Sequence, residues 1–152
     1  MNIRQAITSD AEAIHSLVNY YAELDRMLFC SVSDVFEKLQ IFKVAQLDDD
    51  IAGCCALQVI WKDLAEIKSL AVSKDFAGRG VGRALVEEVV KEAHKLGAEK
   101  VFTLTMEPEF FKKVGFVQVE MSTLPMKVWS DCAKCSKQDH CDEIAMVYQG
   151  QQ

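Results

Sequence analysis

The spacing of apolar side chains predicts that helices and strands alternate along this chain. The clearest helix covers residues 81–96, where apolar positions recur at about 100° per residue and form one arc. That arc consists of Leu85, Val86, Val89, Val90, Ala93 and Leu96. Gly97 follows directly, and glycine is typical of the residue that ends a helix in a left-handed conformation. We therefore expect this helix to pack one face against a sheet.

Shorter patterns predict the remaining elements. Further helices are expected to begin at Thr8 or Ser9, at Ser33 and near Glu109. Strands are predicted at 2–6, 42–47, 51–61, 65–72, 101–105, 116–119 and 144–148. The acidic turn 48–50 joins the second and third of these strands as a β-hairpin. The pattern as a whole indicates a mixed α/β fold.

Length and composition fit one globular domain. The chain has 152 residues, of which 50% are hydrophobic and 26% charged, and this composition excludes intrinsic disorder. We expect a single domain over residues 1–152, with a cysteine-bearing C-terminal elaboration at 124–143. The formal net charge is -6, and a net-acidic chain lacks the basic surface that binding of nucleic acid requires. No nucleic-acid partner is therefore expected.

The sequence contains no signal for secretion or membrane insertion. Residues 1–10 carry Arg4 with no apolar run behind it, so a secretory signal is not predicted. The longest uncharged apolar stretch, 51–61, is far shorter than the ~20 residues that a membrane helix needs. We expect a cytoplasmic protein without a membrane partner, in which the six cysteines are reduced thiols or metal ligands.

A glycine-rich turn between a strand and the long helix is the most informative segment. The strand ends at Leu70-Ala71-Val72, and the turn with the helix start is Gly78-Arg79-Gly80-Val81-Gly82-Arg83-Ala84. Glycine lets a ligand approach the backbone closely, and the N–H groups at the start of a helix bind anions. Arg79 and Arg83 add positive charge. The segment predicts a diphosphate site, and the alternative is a tight strand–helix connection without a ligand.

The glycine spacing excludes two common phosphate motifs and resembles a third. A P-loop needs Lys-Ser/Thr after its last glycine, and Gly78, Gly80 and Gly82 alternate instead of matching G-x-G-x-x-G. The turn resembles the acetyl-CoA signature of the GNAT N-acetyltransferases, Gln/Arg-x-x-Gly-x-Gly/Ala, with Ala77 at its first position. Family members also carry a strand ending in Leu-Ala-Val and a Tyr-x-x-x-Gly-Phe element, in which Phe111 here replaces the general-acid tyrosine.

This resemblance implies the fold, the cosubstrate and a set of contacts. The GNAT fold is a central twisted mixed sheet flanked by helices, and its cosubstrate is acetyl-CoA. The residues implied to contact the cosubstrate are Leu70, Ala71, Val72, Gly78, Arg79, Gly80, Val81, Gly82, Arg83, Ala84 and Phe111. A homodimer is compatible with the same resemblance.

Several segments resemble a narrower group, the short bacterial amino-acid N-acetyltransferases of the N-acetylglutamate synthase type. They are 65–72, 104–105, 109–111 and 124–132, and the tail signature is Asp131-Cys132-x-x-Cys135 followed by Cys141-Asp142-Glu143. This resemblance implies acetylation of L-glutamate in the first step of arginine biosynthesis. Members of the group tend to have Pro-Arg-Ser where this chain has Phe29-Cys30-Ser31, and an arginine there could bind a substrate carboxylate through two hydrogen bonds. Candidate substrate-binding residues in this chain are Arg26, Ser69 and Lys127.

Glu66 is the candidate catalytic base. In direct acetyl transfer the amine must lose a proton, and a carboxylate can accept it directly or through water. Backbone N–H groups at the strand end 70–72 would polarise the thioester carbonyl. With Phe111 in place of tyrosine, the leaving thiolate is expected to take its proton from water, because a thiol of pKa ~8.5 leaves readily. The alternative is that Glu66 is a surface glutamate on a half-exposed strand.

The cysteines fall into two groups. Cys132, Cys135 and Cys141 offer enough ligands for a structural zinc ion, with His140 adjacent. A single C-x-x-C is a weak metal signal, and we favour reduced, partly buried thiols or a redox-sensitive pair over a metal site. Cys30, Cys54 and Cys55 are expected to be core residues.

Two other function classes fit the same sequence. One keeps the fold and replaces the amino acid by a polyamine, an antibiotic or a protein amine. The other is a non-catalytic sensor that binds acetyl-CoA, which the departures at Ala77 and Phe111 would permit. A sensor would bind CoA without acetylating any amine.

Overall fold

A computed structural model of the chain describes residues 1–24, 30–124 and 143–150. Its strands are β1 (Asn2–Gln5), β2 (Phe42–Leu47), β3 (Asp50–Trp61), β4 (Leu64–Val72), β5 (Lys100–Thr105), β6 (Phe116–Val119) and β7 (Ile144–Tyr148). Its α-helices are α1 (Ala11–Glu23), α2 (Val32–Glu37), α3 (Val81–Lys95) and α4 (Pro108–Lys113). The predicted mixed α/β fold and the hairpin of β2 and β3 are confirmed. None of the helices in these ranges is long and apolar enough to cross a membrane.

The strands form one seven-stranded sheet in the order β1-β2-β3-β4-β5-β7-β6. Neighbouring strands are antiparallel except for β4 and β5, which are parallel. This parallel pair is joined only from Leu64 with Lys100 to Ile67 with Thr103. Beyond those residues β4 continues along β3, and β5 continues along β7. The sheet therefore divides at its centre, and we call the opening between the ends of β4 and β5 the wedge.

Helices cover the two faces of the sheet. On the α3 face, the apolar side of α3 packs on a cluster that includes Ile67 and Val101. On the α1 face, α1 and α2 pack on a cluster that includes Cys54 and Ala56 of β3. A separate cluster, which contains Ile60, Leu64, Phe102, Leu124 and Ala145, lies further along β3 and β4. Because side chains alternate along a strand, the residues of β4 from Leu64 to Lys68 lie on alternate faces of the sheet.

The first helix begins differently from the prediction. Neither Thr8 nor Ser9 caps it; both belong to a 3-10 turn that precedes α1. The Asp10 carboxylate instead accepts hydrogen bonds from the N–H of Ile7 (2.8 Å) and from both terminal nitrogens of Arg4 (2.7 and 3.0 Å). These bonds connect the start of α1 to β1, and the Arg4 guanidinium lowers the pKa of Asp10. The capping pattern at Thr8 and Ser9 did not predict this contact between Asp10 and Arg4.

Two further boundaries correct the prediction. The second helix begins at Val32, because the Ser31 hydroxyl accepts from the N–H of Asp34 (3.0 Å) and Asp34 accepts from the N–H of Ser31 (3.1 Å). Leu96 is 59% exposed and lies beyond the end of α3, so its assignment to the apolar arc was wrong. Gly97 has φ +95, as expected of a residue that ends a helix.

Replacing Asp10 by Asn should lower the free energy of unfolding by about 2 kcal/mol, because hydrogen bonds to a buried charged group are lost. Since the folded-state pKa of Asp10 is lowered, its contribution is present above the unfolded-state pKa and is lost as the pH falls through the folded-state pKa. Urea unfolding between about pH 2 and 7 measures both effects. The control is Asp34→Asn at an exposed cap, which should cost less. Equal losses for the two variants would contradict the assignment.

Candidate active site

The end of β4 contains a β-bulge beside the wedge. Cys54 of β3 is paired with Ala71, and Ala56 is paired with Lys68, so that Cys55 faces the two residues Ser69 and Leu70. Ser69 has φ +53, a left-handed conformation that non-glycine residues seldom adopt. A bulge leaves one residue out of the regular ladder and turns the strand. The backbone near Leu70 is thereby turned away from its regular pairing with β3.

Two side chains contact the carbonyl groups at the limits of this open stretch. The buried Thr103 hydroxyl donates to the carbonyl of Ile67 (2.9 Å), where pairing with β5 ends. The Tyr21 hydroxyl of α1 donates to the carbonyl of Val72, the last residue of β4. Neither residue was predicted from the sequence to have a role at the site. Thr103 could have been singled out from the sequence, because it places a hydroxyl group in the middle of a predicted apolar strand.

The glycine turn leads from β4 into α3. Gly78 and Gly80 have φ of +80 and +76, with open space where a Cβ would lie. The first helical hydrogen bond runs from the N–H of Ala84 to the carbonyl of Gly80 (3.0 Å). The N–H groups of the residues just before Ala84 therefore precede the helical ladder, and such groups bind anions. This geometry is compatible with the diphosphate site, which stays a prediction.

Gly53 brings the start of α3 close to β4, a role that the sequence analysis missed. A Cβ at this position of β3 would lie 3.0 Å from the Ala71 carbonyl oxygen and 3.0 Å from Cγ1 of Val81. Either contact is closer than real Cβ atoms comfortably allow. The helix start and the strand end can therefore act on one ligand.

The two arginines of the turn point in different directions. The guanidinium of Arg79 lies over the ring of Phe76, 5.5 Å from its centroid. Nη2 of Arg83 donates to the carbonyl of Lys113 at the end of α4 (2.7 Å). Arg83 thus connects α3 to α4 in this structure. For both side chains, contact with a phosphate stays a prediction.

Phe111 lies in the core beside the turn. It is 4% exposed, and its ring centroid is 5.1 Å from that of Phe110 and 5.1 Å from that of Phe116. Phe110 in turn packs against Gly82, where a Cβ would lie 3.1 Å from the ring. These contacts fix α4 against the start of α3. The position offers no hydroxyl to protonate a thiolate, and a contact with the cosubstrate stays a prediction.

Glu66 lies on the α1 face of the sheet, one residue before pairing with β5 ends. Its partner across the parallel ladder is Phe102, and it is 7% exposed. Nζ of Lys68, the next residue of β4 on this face, is 3.7 Å from Oε1 of Glu66. Burial argues against the alternative that Glu66 is a surface side chain. The site thus has a carboxylate on one face and a helix start on the other.

Other predicted site residues lie partly outside the described ranges. Arg26, Lys127, Cys132, Cys135 and Cys141 fall there, so the structure does not test the substrate or zinc assignments that rest on them. Among the residues that the structure does describe, no cluster of histidine, cysteine, aspartate or glutamate could hold a metal ion.

The three described cysteines are protonated thiols at neutral pH. Burial raises the pKa of Cys54 to about 12 and raises that of Cys55 well above its usual range. Burial, and then the charge of Asp34, raise the pKa of Cys30. Cys54 and Cys55 are fully buried core residues, as predicted, whereas Cys30 is partly buried.

Comparison with known proteins places this geometry in a family. Residues 4–116 match the Acetyltransferase (GNAT) family. The chain belongs to the GNAT acetyltransferases. It is therefore an N-acetyltransferase that uses acetyl-CoA as donor, and its mixed sheet with flanking helices is the GNAT fold.

Three individual proteins show which GNAT acetyltransferases this chain is similar to. An uncharacterized N-acetyltransferase of Chlorobaculum tepidum, CT2212, is 41% identical over 95% of this chain and 94% of its own length. An amino-acid acetyltransferase of Mycobacterium tuberculosis is 36% identical over 87% of this chain and 77% of its own length. N-acetylglutamate synthase of Neisseria gonorrhoeae, complexed with coenzyme A and N-acetyl-glutamate, superposes with a TM-score of 0.89 at 25% identity. That similarity covers 99% of this chain and 35% of the synthase chain.

Replacing Gly80 by Ala should weaken acetyl-CoA binding about tenfold or more, because a Cβ at φ +76 costs about 1–2 kcal/mol and displaces the helix start. Calorimetric titration with acetyl-CoA measures the Kd, and thermal unfolding measures the stability. Gly97→Ala is a matched control, since Gly97 also has φ +95 and open space. It follows the other end of the 15-residue α3, about 22 Å away. The control should lose stability and keep its Kd; an unchanged Kd for Gly80→Ala would contradict the site.

Proposed function

We propose that this N-acetyltransferase acetylates the α-amine of an amino acid, with L-glutamate as the first candidate. The observation that carries the proposal is the buried Glu66 carboxylate on the α1 face, beside the open end of β4. The name of the mycobacterial relative and the ligands of the gonococcal synthase support an amino-acid substrate. Arginine biosynthesis, a cytoplasmic location and a homodimer belong to the same proposal.

In the proposed mechanism the two substrates approach from opposite faces. The diphosphate of acetyl-CoA lies at the start of α3, and its thioester arm extends along β4 in the wedge. The amine substrate lies on the α1 face. This arrangement uses the wedge as the passage through the sheet, because β4 and β5 are joined only as far as Ile67.

Proton transfer begins at Glu66. The carboxylate accepts a proton from the substrate ammonium, directly or through water, and the free amine attacks the thioester carbonyl. Backbone N–H groups near Leu70 stabilise the oxyanion that forms. The carbonyl reforms as the C–S bond breaks, and the CoA thiolate takes a proton from water. The hydroxide that this leaves accepts the second proton of the new amide nitrogen. Phe111 offers no proton at this step.

The Lys68 cation beside Glu66 is compatible with a substrate that carries a carboxylate. Lys68 is half-buried on the α1 face, with its ammonium group 3.7 Å from Oε1 of Glu66. In the proposed complex this ammonium group attracts the carboxylate of the substrate. Arg26, Ser69 and Lys127 remain the candidates for direct contact with the substrate. Cys30 stands where related enzymes tend to carry an arginine, and this difference favours a second candidate function, acetylation of another amine.

A panel of amino acids incubated with acetyl-CoA tests the substrate class, with the product identified by mass spectrometry. Detection of the product is preferable to thiol reagents, because the protein has six cysteines. We expect N-acetylglutamate as the dominant product. Turnover of polyamines or protein amines alone would establish the second candidate. Binding of acetyl-CoA without turnover of any amine would favour a sensor.

Glu66→Gln should lower kcat/KM at about pH 7 by about 10²-fold, because the amine loses its general base. The rate should recover as the pH rises and the amine deprotonates in solution. Glu109→Gln on the surface of α4 is the control, since its side chain is 80% exposed and pairs only locally with Lys112. It should keep the wild-type pH–rate profile. If Glu66→Gln also keeps that profile, Glu66 is not the base.

A further inference from the structure

Gln58 of β3 carries a buried oxygen that lacks a hydrogen-bond partner. Among the side chains of the described ranges, its Oε1 is the one buried nitrogen or oxygen in this condition. Burying a hydrogen-bond acceptor without a donor destabilises a protein, and native structures contain few such atoms. An unsatisfied oxygen beside a candidate active site therefore indicates a missing donor.

The sheet register brings Gln58 next to Glu66. The two residues are direct partners in the antiparallel ladder of β3 and β4. Side chains of directly opposed residues lie on the same face, with Cβ atoms about 4.5–5.5 Å apart. The next pair along this face is Ala56 with Lys68. Gln58 thus shares the α1 face with both charged residues of the site.

The apolar surroundings make this location distinctive. Ala56, two residues before Gln58, belongs to the cluster under α1 and α2. Leu64 lies two residues before Glu66 on β4, and Phe102 is the partner of Glu66 on β5. Both belong to the separate cluster further along the sheet. Gln58 and the two charged residues therefore form a short polar band between two apolar clusters. We call Gln58, Glu66 and Lys68 the polar band.

We propose that Oε1 of Gln58 accepts a hydrogen bond from the reacting nitrogen of the amine substrate, so that Gln58 is a substrate-binding residue. The inference rests on the proposed function and adds a specific contact to it. The substrate ammonium has three N–H groups. Glu66 removes one proton, and the neutral amide of Gln58 holds a second N–H without accepting its proton. The nitrogen lone pair is then directed toward the thioester in the wedge.

Gln58→Met is the main test, because methionine has a similar length and lacks the amide oxygen. With L-glutamate as the probe, we expect the KM for the amine to rise about tenfold or more, while the Kd for acetyl-CoA changes less than about twofold. Thermal stability should be equal or higher, since an unsatisfied buried oxygen has been removed. A structural role would give the opposite result, a lower Tm. Gln118→Met on β6 is the control at an exposed glutamine and should change none of these values.

The outcomes separate this inference from the proposed function. If wild-type protein acetylates glutamate and Gln58→Met keeps the wild-type KM, the inference is wrong and the proposed function stands. A lower Tm together with weaker acetyl-CoA binding would also overturn it. If Gln58→Met does not fold, Gln58→Asn replaces it as the test, because asparagine keeps an amide but its shorter side chain holds the oxygen farther from the substrate. An unchanged KM for that variant overturns the inference. If wild-type protein acetylates no amino acid, the proposed function fails and the inference fails with it.

Discussion

Two neighbouring strands that separate within a sheet expose main-chain groups that would otherwise pair with each other. In this protein β4 and β5 separate after Ile67, and a buried backbone carbonyl or N–H must find another partner. Thr103 satisfies the carbonyl at the point of separation, and Tyr21 satisfies the one at the end of β4. The remaining edge of β4 is available for an extended ligand with amide groups. The proposed position of acetyl-CoA depends on this one constraint.

The same separation divides the two tasks of an acetyltransferase between the faces of the sheet. The α3 face presents the start of a helix, close to the sheet because β3 has Gly53 at the point of contact. The α1 face presents the polar band. A charged donor diphosphate and a charged amine substrate can therefore be held apart, and only the reacting carbonyl and nitrogen need to meet in the wedge.

Local patterns predicted much of the fold and the backbone conformation of the glycine turn. The arc of α3, the hairpin turn and the alternating glycines each depend on residues close together in sequence, and the glycine conformations follow from steric rules. The contacts between strands could not be predicted in this way. The bond from Thr103 to Ile67 spans 36 residues, and the position of Gln58 beside Glu66 depends on the register of β3 and β4. The parallel pairing of β4 with β5 and the bulge at Ser69 likewise follow from tertiary structure.

Cys54 lies on β3 next to the bulge of β4, and its Sγ is 3.6 Å from the carbonyl oxygen of Ser69. A thiolate there could attack an acetyl thioester and transfer the acetyl group onto the protein itself. Burial raises the pKa of Cys54 to about 12, so this thiol is protonated at neutral pH, whereas the thiolate is the reactive form. Burial of Cys54 thus keeps the thiol beside the proposed position of the thioester in its unreactive form.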